Sequence, residues 1–178
     1  ATTLIDDTEA QAAYLAVRLV GFAEVVHLVP TSNEPGVDRE QILAALDGLS
    51  KAGVARKTGA LRTRFTAKNL ASILWDCLTI LESSSLPELE WAPMSALLGD
   101  DLLSTLVGVS STSLHRYRTG ERPTPDHVAA RLHFVTLVVA DLTGSYNDFG
   151  IRRWFNRPRA ALGGPTPGAI LTGDWSPD

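Results

Sequence analysis

Residues 101–125, DLLSTLVGVSSTSLHRYRTGERPTP, decide how this chain is read. Leu102, Leu103 and Leu106 are spaced to bury one face of a short helix. Gly108 then supplies a turn residue that tolerates a left-handed backbone. Ser110 follows as an N-cap whose hydroxyl can accept from a free backbone N–H of the next helix. That second helix is expected to run to about Arg118, with Leu114 and Tyr117 inward and Gly120 and Pro123 ending it. Its outward side would carry Ser111, Thr112, His115, Arg116 and Arg118, short hydrogen-bonding groups first and cations after. In a helix-turn-helix, residues near the start of the second helix reach base edges while flanking cations hold phosphates. Ser110, Ser111, Thr112, His115, Arg116, Arg118 and Arg122 are therefore the candidate DNA-binding residues. An ordinary helical hairpin with a solvated, Arg-rich face is the plainer alternative.

The rest of the chain supports a globular, mainly α protein. At 178 residues, 44% hydrophobic and 20% charged, it can bury a core of useful size. The single Cys77 lies in the apolar run LASILWDCLTIL, where an inert buried thiol is expected. With no partner for a disulfide, no apolar stretch of about 18 residues and no basic leader, a cytoplasmic protein is expected. The net charge of −4 argues against indiscriminate nucleic-acid binding. The cations are nevertheless clustered, at Lys51–Lys68, at Arg116–Arg122 and at Arg152–Arg159, so a local positive surface can form on an acidic chain.

Upstream, Leu15, Leu19, Phe22 and Val26 form the core stripe of a first helix. Tyr14, Val17, Val20 and Val25 make its other side apolar too, as in a helix that is central or shared with a second copy. Asp38 caps a second helix carrying Ile42, Leu43, Leu46 and Leu49, closed by Gly53. Val54–Thr58 and Leu61–Thr66 are β-prone runs around Gly59, and predict a small hairpin. As the wing of a winged helix, it would point Arg56, Lys57, Arg62 and Arg64 at a phosphate backbone. A third helix spans Lys68–Leu81, and ESSSLPE (Glu82–Glu88) reads as a linker. The expected organisation is a helical, winged-helix-like subdomain over residues 1–85, a helix-turn-helix with a long helix over 86–145, and a C-terminal region over 146–178. Thr124 and Pro125 read as N-cap and first residue of the long helix. His127 and His133, six residues apart on it, do not face one another and do not suggest a metal site. No carboxylate pair, Cys/His spacing, phosphate loop or nucleophile motif marks an enzyme, and neither catalytic residues nor a cofactor are expected.

The C-terminal stretch RRWFNRPRAALGGPTPGAILTGD, following a helix-turn-helix and a long helix, resembles the toxin-binding region of the Xre/MbcA/ParS-type antitoxins. The residues carrying the likeness are Trp154, Phe155, Pro158, Leu162, Gly163, Pro167, Ile170, Leu171, Gly173 and Asp174. Val109, Ser110, Ser113, Leu114, Arg116, Tyr117 and Gly120 match in the helix-turn-helix. The likeness covers about Trp91 to Asp178, half the chain. It implies a DNA-binding antitoxin that represses its own operon and neutralises a RES-domain toxin acting on NAD. Trp154, Phe155, Leu162, Pro167, Gly173, Asp174 and Trp175 would be the partner-binding residues, with Trp175 as an exposed anchor. A homodimer on double-stranded DNA, held by the N-terminal helices, completes the expectation. The alternative is a DNA-binding transcription regulator with no toxin partner.

Overall fold

The computed structural model describes residues 7–32, 36–54, 66–173 and 175–177. The chain divides into two compact units, Ala1–Ser84 and Ser85–Asp178. The first contains α1 (Asp7–Val25), α2 (Arg39–Lys51) and α3 (Ala67–Glu82). The second contains α4 (Pro87–Leu98), α5 (Asp100–Val107), α6 (Ser111–Arg118), α7 (Asp126–Thr143), α8 (Asp148–Phe155), a 3-10 turn at Ala160–Leu162 and the short α9 (Pro167–Ile170). Among the described residues the protein is helical, with no strand.

In the first unit α1 packs against both α2 and α3. Leu15, Leu19 and Phe22 from α1 meet a core that includes Leu46 and Leu49 of α2 and Leu74, Cys77 and Leu81 of α3, all essentially without exposure. The α2 start shows why the sequence signal is strong there. The Asp38 carboxylate accepts from the Gln41 backbone N–H at 2.8 Å, and the Gln41 side-chain Oε1 accepts from the Asp38 N–H at 2.7 Å. Two of the free donors of a helix start are thus satisfied reciprocally. Tyr14 and Val17 on α1 and Trp75 and Ile80 on α3 remain exposed, at 62%, 50%, 58% and 41%.

The expected hairpin is not supported. Residues 55–65, which include Arg56, Lys57, Arg62 and Arg64, lie outside the described residues, and its two ends serve helices instead. Val54 is buried at the close of α2, its N–H bonded to the Leu49 carbonyl, and Thr66 begins α3 with its N–H on the Asn69 side chain. A β-branched residue at a helix end has the same local pattern as one at a strand end, so propensity alone did not separate them.

In the second unit α4 is central, packing on α5, α6, α7 and α8. It begins at Pro87, four residues before the apolar run that marks it in the sequence, with Pro occupying a position where a missing N–H costs nothing. Helix α7 begins at Asp126, with Pro125 rather than Thr124 as its N-cap. Thr124 instead accepts a hydrogen bond from the Trp91 indole at 2.9 Å. No helix among the described residues is long and apolar enough to cross a membrane.

Candidate nucleic-acid interface

Helix α5 buries Leu103, Leu106 and Val107, so its opposite side faces outward at Asp101 and Thr105. The chain leaves it through Gly108, at φ 74° and ψ 38°, a left-handed conformation that costs a side-chain-bearing residue about 1–2 kcal/mol. Ser110 then caps α6, its Oγ accepting from the Ser113 N–H at 3.1 Å. Leu114 and Tyr117 turn inward as the spacing requires. The Tyr117 ring stacks on Trp91 of α4, with centroids 5.9 Å apart and planes 22° from parallel. This pins the second helix of the motif to the centre of the unit.

The pinning fixes what α6 presents. Ser110, Ser111, Thr112, His115, Arg116 and Arg122 are exposed. The Arg122 guanidinium sits over the Tyr117 ring, 5.7 Å from its centroid, which positions a cation beside the end of α6. Arg118 differs. Its Nη1 lies 2.7 Å from Oδ1 of Asp100 at the start of α5, and the guanidinium is only half exposed. That pair ties the two helices together and offsets the Arg118 charge. Sequence spacing places Arg118 among the outward cations but carries no sign of its partner 18 residues earlier.

Behind this surface lies a buried carboxyl–imidazole pair. Glu90 of α4 and His133 of α7 are both almost wholly buried, with Oε1 and Nδ1 2.5 Å apart. Glu90 Oε2 has no hydrogen-bond partner, and burial holds the Glu90 carboxyl above its ordinary range, against the lowering effect of His133. In the sequence Glu90 is one acid among several between Glu82 and Asp101. The signal that could have found it is its position on α4 one residue before Trp91, on the side that faces α7.

The partner-binding residues expected from the C-terminal motif do not form one exposed surface. Phe155 and Pro167 are buried, and Trp154 is half-buried with its ring edge-on to Phe155 at 5.2 Å and the Arg159 guanidinium 5.2 Å from its face. Leu162 is 43% exposed, Gly173 is exposed and Asp174 lies outside the described residues. Trp175 is half-buried against its own unit, not free. Its indole N–H donates to the Leu106 carbonyl at 3.1 Å, its carbonyl accepts from Arg131 Nε at 2.8 Å, and its ring meets Phe134 edge-on at 5.4 Å. Among the described residues no group of His, Cys, Asp and Glu is placed to hold a metal.

No family model, curated protein or solved structure matches the chain. The chemistry of this surface is therefore read from its own side chains. Hydroxyls at the first turn of α6, an imidazole and a guanidinium one turn later, and a stacked cation beyond its end can donate to base edges and phosphate oxygens.

Proposed function

We propose that the protein binds double-stranded DNA in a sequence-specific manner, with α6 lying in the major groove. Ser111, Thr112, His115 and Arg116 read bases, while Ser110 and Arg122 contact the backbone. The observation that carries this reading is the exposure of those side chains on a helix whose other face is locked to α4 by Leu114 and Tyr117. A rigid mount matters because base contacts depend on a fixed register. Arg118, engaged by Asp100, joins only if that pair opens. Arg56, Lys57, Arg62 and Arg64 remain proposed as additional phosphate contacts on the strength of their charge alone.

Two further parts belong to the same proposal. The first is a homodimer that places two reading helices about 34–36 Å apart, in successive grooves. The exposed Tyr14, Val17, Trp75 and Ile80 on the first unit support self-association there. The second is the biological role, a cytoplasmic antitoxin and autorepressor whose C-terminal region captures a RES-domain toxin. Support for that role comes from the resemblance of residues 91–178, and the exposed Leu162 and Ile170 are the apolar groups free to make the contact. A DNA-binding regulator without a toxin shares every feature of α6.

The test is a selection from random duplexes followed by binding of the Arg116→Ala protein. Loss of about 1–3 kcal/mol on the selected site, with relaxed preference at one base pair, is the expected result. Equal weakening on every sequence would remove Arg116 from base reading. A reading frame for a RES-domain protein beside this one, toxic when expressed alone, separates antitoxin from plain regulator.

A further inference from the structure

The contacts of Trp175 point to a regulatory strap: we propose that the C-terminal tail holds the α5–α6 turn in the shape that presents α6, so that lifting the tail loosens the reading helix. The consequence for DNA rests on the function proposed above, while the strap itself does not.

The contact falls where a helix-turn-helix is weakest. Leu106 lies in the last turn of α5, where carbonyls lose their intrahelical partners because the chain turns away at Gly108. Trp175, 69 residues further on, supplies its indole N–H to that carbonyl. The same residue engages α7 twice, through Phe134 and through Arg131, whose guanidinium lies 5.4 Å from the indole centroid. Arg131 in turn closes on the turn itself. A Cβ built on Gly108 would come within 2.5 Å of Arg131 Nη1 and 3.9 Å of the Gly173 carbonyl. Tail, α7 and turn thus meet at one point, with Arg131 9% exposed between them.

The attachment is also local. Leu103, Leu106, Val107 and Leu114 are fully buried beneath the motif, and Trp175 reaches it through the Leu106 carbonyl. Thr172 and Gly173, just before the strap, are exposed. A ligand that takes the Trp175 ring therefore competes with its hydrogen bond to the Leu106 carbonyl and its contacts to Phe134 and Arg131. Its effect would reach α6 through the Leu106 carbonyl and Gly108.

The experiment uses the full chain and two variants, Trp175→Ala and Trp175→Phe, the second keeping a ring on Phe134 and Arg131 but losing the donor. Amide hydrogen exchange is followed at Gly108 and Val109, both bonded to the Ser104 carbonyl, with α8 as internal reference. Duplex affinity is measured on the same proteins. The expected result is exchange about tenfold faster in Trp175→Ala and less so in Trp175→Phe, with α8 unchanged and affinity reduced in the same order. Unchanged exchange at both amides in both variants would overturn the strap, and faster exchange with unaltered affinity would overturn its coupling to α6. If the native protein binds no duplex, the proposed function fails, and the exchange rates alone still decide the strap. Should Trp175→Ala not fold, the Trp175→Phe result decides.

Discussion

Replacing Gly108 by Ala makes two separate demands on the structure, and their sizes can be worked out. The residue sits at φ 74°, so a Cβ there costs about 1–2 kcal/mol in backbone strain. The new methyl would also lie 2.5 Å from Arg131 Nη1, which must move. A long side chain usually yields cheaply, but Arg131 is held by its hydrogen bond to the Trp175 carbonyl and by the indole face. Losing a hydrogen bond from a charged donor adds about 1.5–3 kcal/mol, for a total of about 2.5–5 kcal/mol. Gly120 is the control, because it has the same φ of 74° and nothing within 4 Å of its Cβ position. Gly120→Ala should therefore cost only the backbone part. Urea unfolding followed by tryptophan fluorescence suits the comparison, since Trp91, Trp154 and Trp175 all lie in the second unit. In an Arg131→Ala background the excess cost of Gly108→Ala should vanish, which a double-mutant cycle reads directly. Equal costs at Gly108 and Gly120, or an excess that survives the loss of Arg131, would mean that Arg131 does not oppose the added methyl.

Other expectations follow from the same geometry. Glu90 has a folded-state pKa raised by burial, so in the native state it binds more protons than in the unfolded chain above pH about 4.5. Its contribution is therefore favourable below that pH and is lost as pH rises through the folded value. Thermal unfolding of Glu90→Gln across pH 4–8 should show the native protein losing ground to the variant as pH rises, and parallel curves would contradict this. Asp38→Ala breaks the reciprocal cap of α2 and should cost about 1 kcal/mol in the first unit, measured by denaturant unfolding. Asp100→Asn releases Arg118, so duplex affinity should rise and the slope of log affinity against log salt should steepen by about 0.9. No change in slope would mean that Arg118 does not face a phosphate even when freed.

Much of the helix-turn-helix was legible because its determinants are local. A left-handed Gly108, a Ser110 cap and an inward Leu114 and Tyr117 all act within a few residues, and each leaves a mark in the spacing. The Asp38 cap was readable for the same reason. Pairings across the fold left no such mark. Glu90 with His133, Asp100 with Arg118, and Trp175 with Leu106 are 43, 18 and 69 residues apart, and only the packing of the second unit as a whole brings them together. Trp175 shows the difficulty well. A Trp near a chain end among Gly and Pro has the composition of an exposed anchor, yet a nearby orphan carbonyl and an arginine give it a site within its own unit. The buried Phe155 and Pro167 teach the same lesson, since a motif fixes residue types and not the side they face.

The proposed function depends most on α6 meeting a duplex. Fluorescence anisotropy of a labelled duplex, titrated with the protein between about 50 and 200 mM salt, tests this directly. The expected result is saturable binding at the low end that weakens linearly on a log–log plot, with the slope reduced by about one in Arg122→Ala. No binding to any duplex at 50 mM salt, by a protein whose unfolding is cooperative, would contradict it.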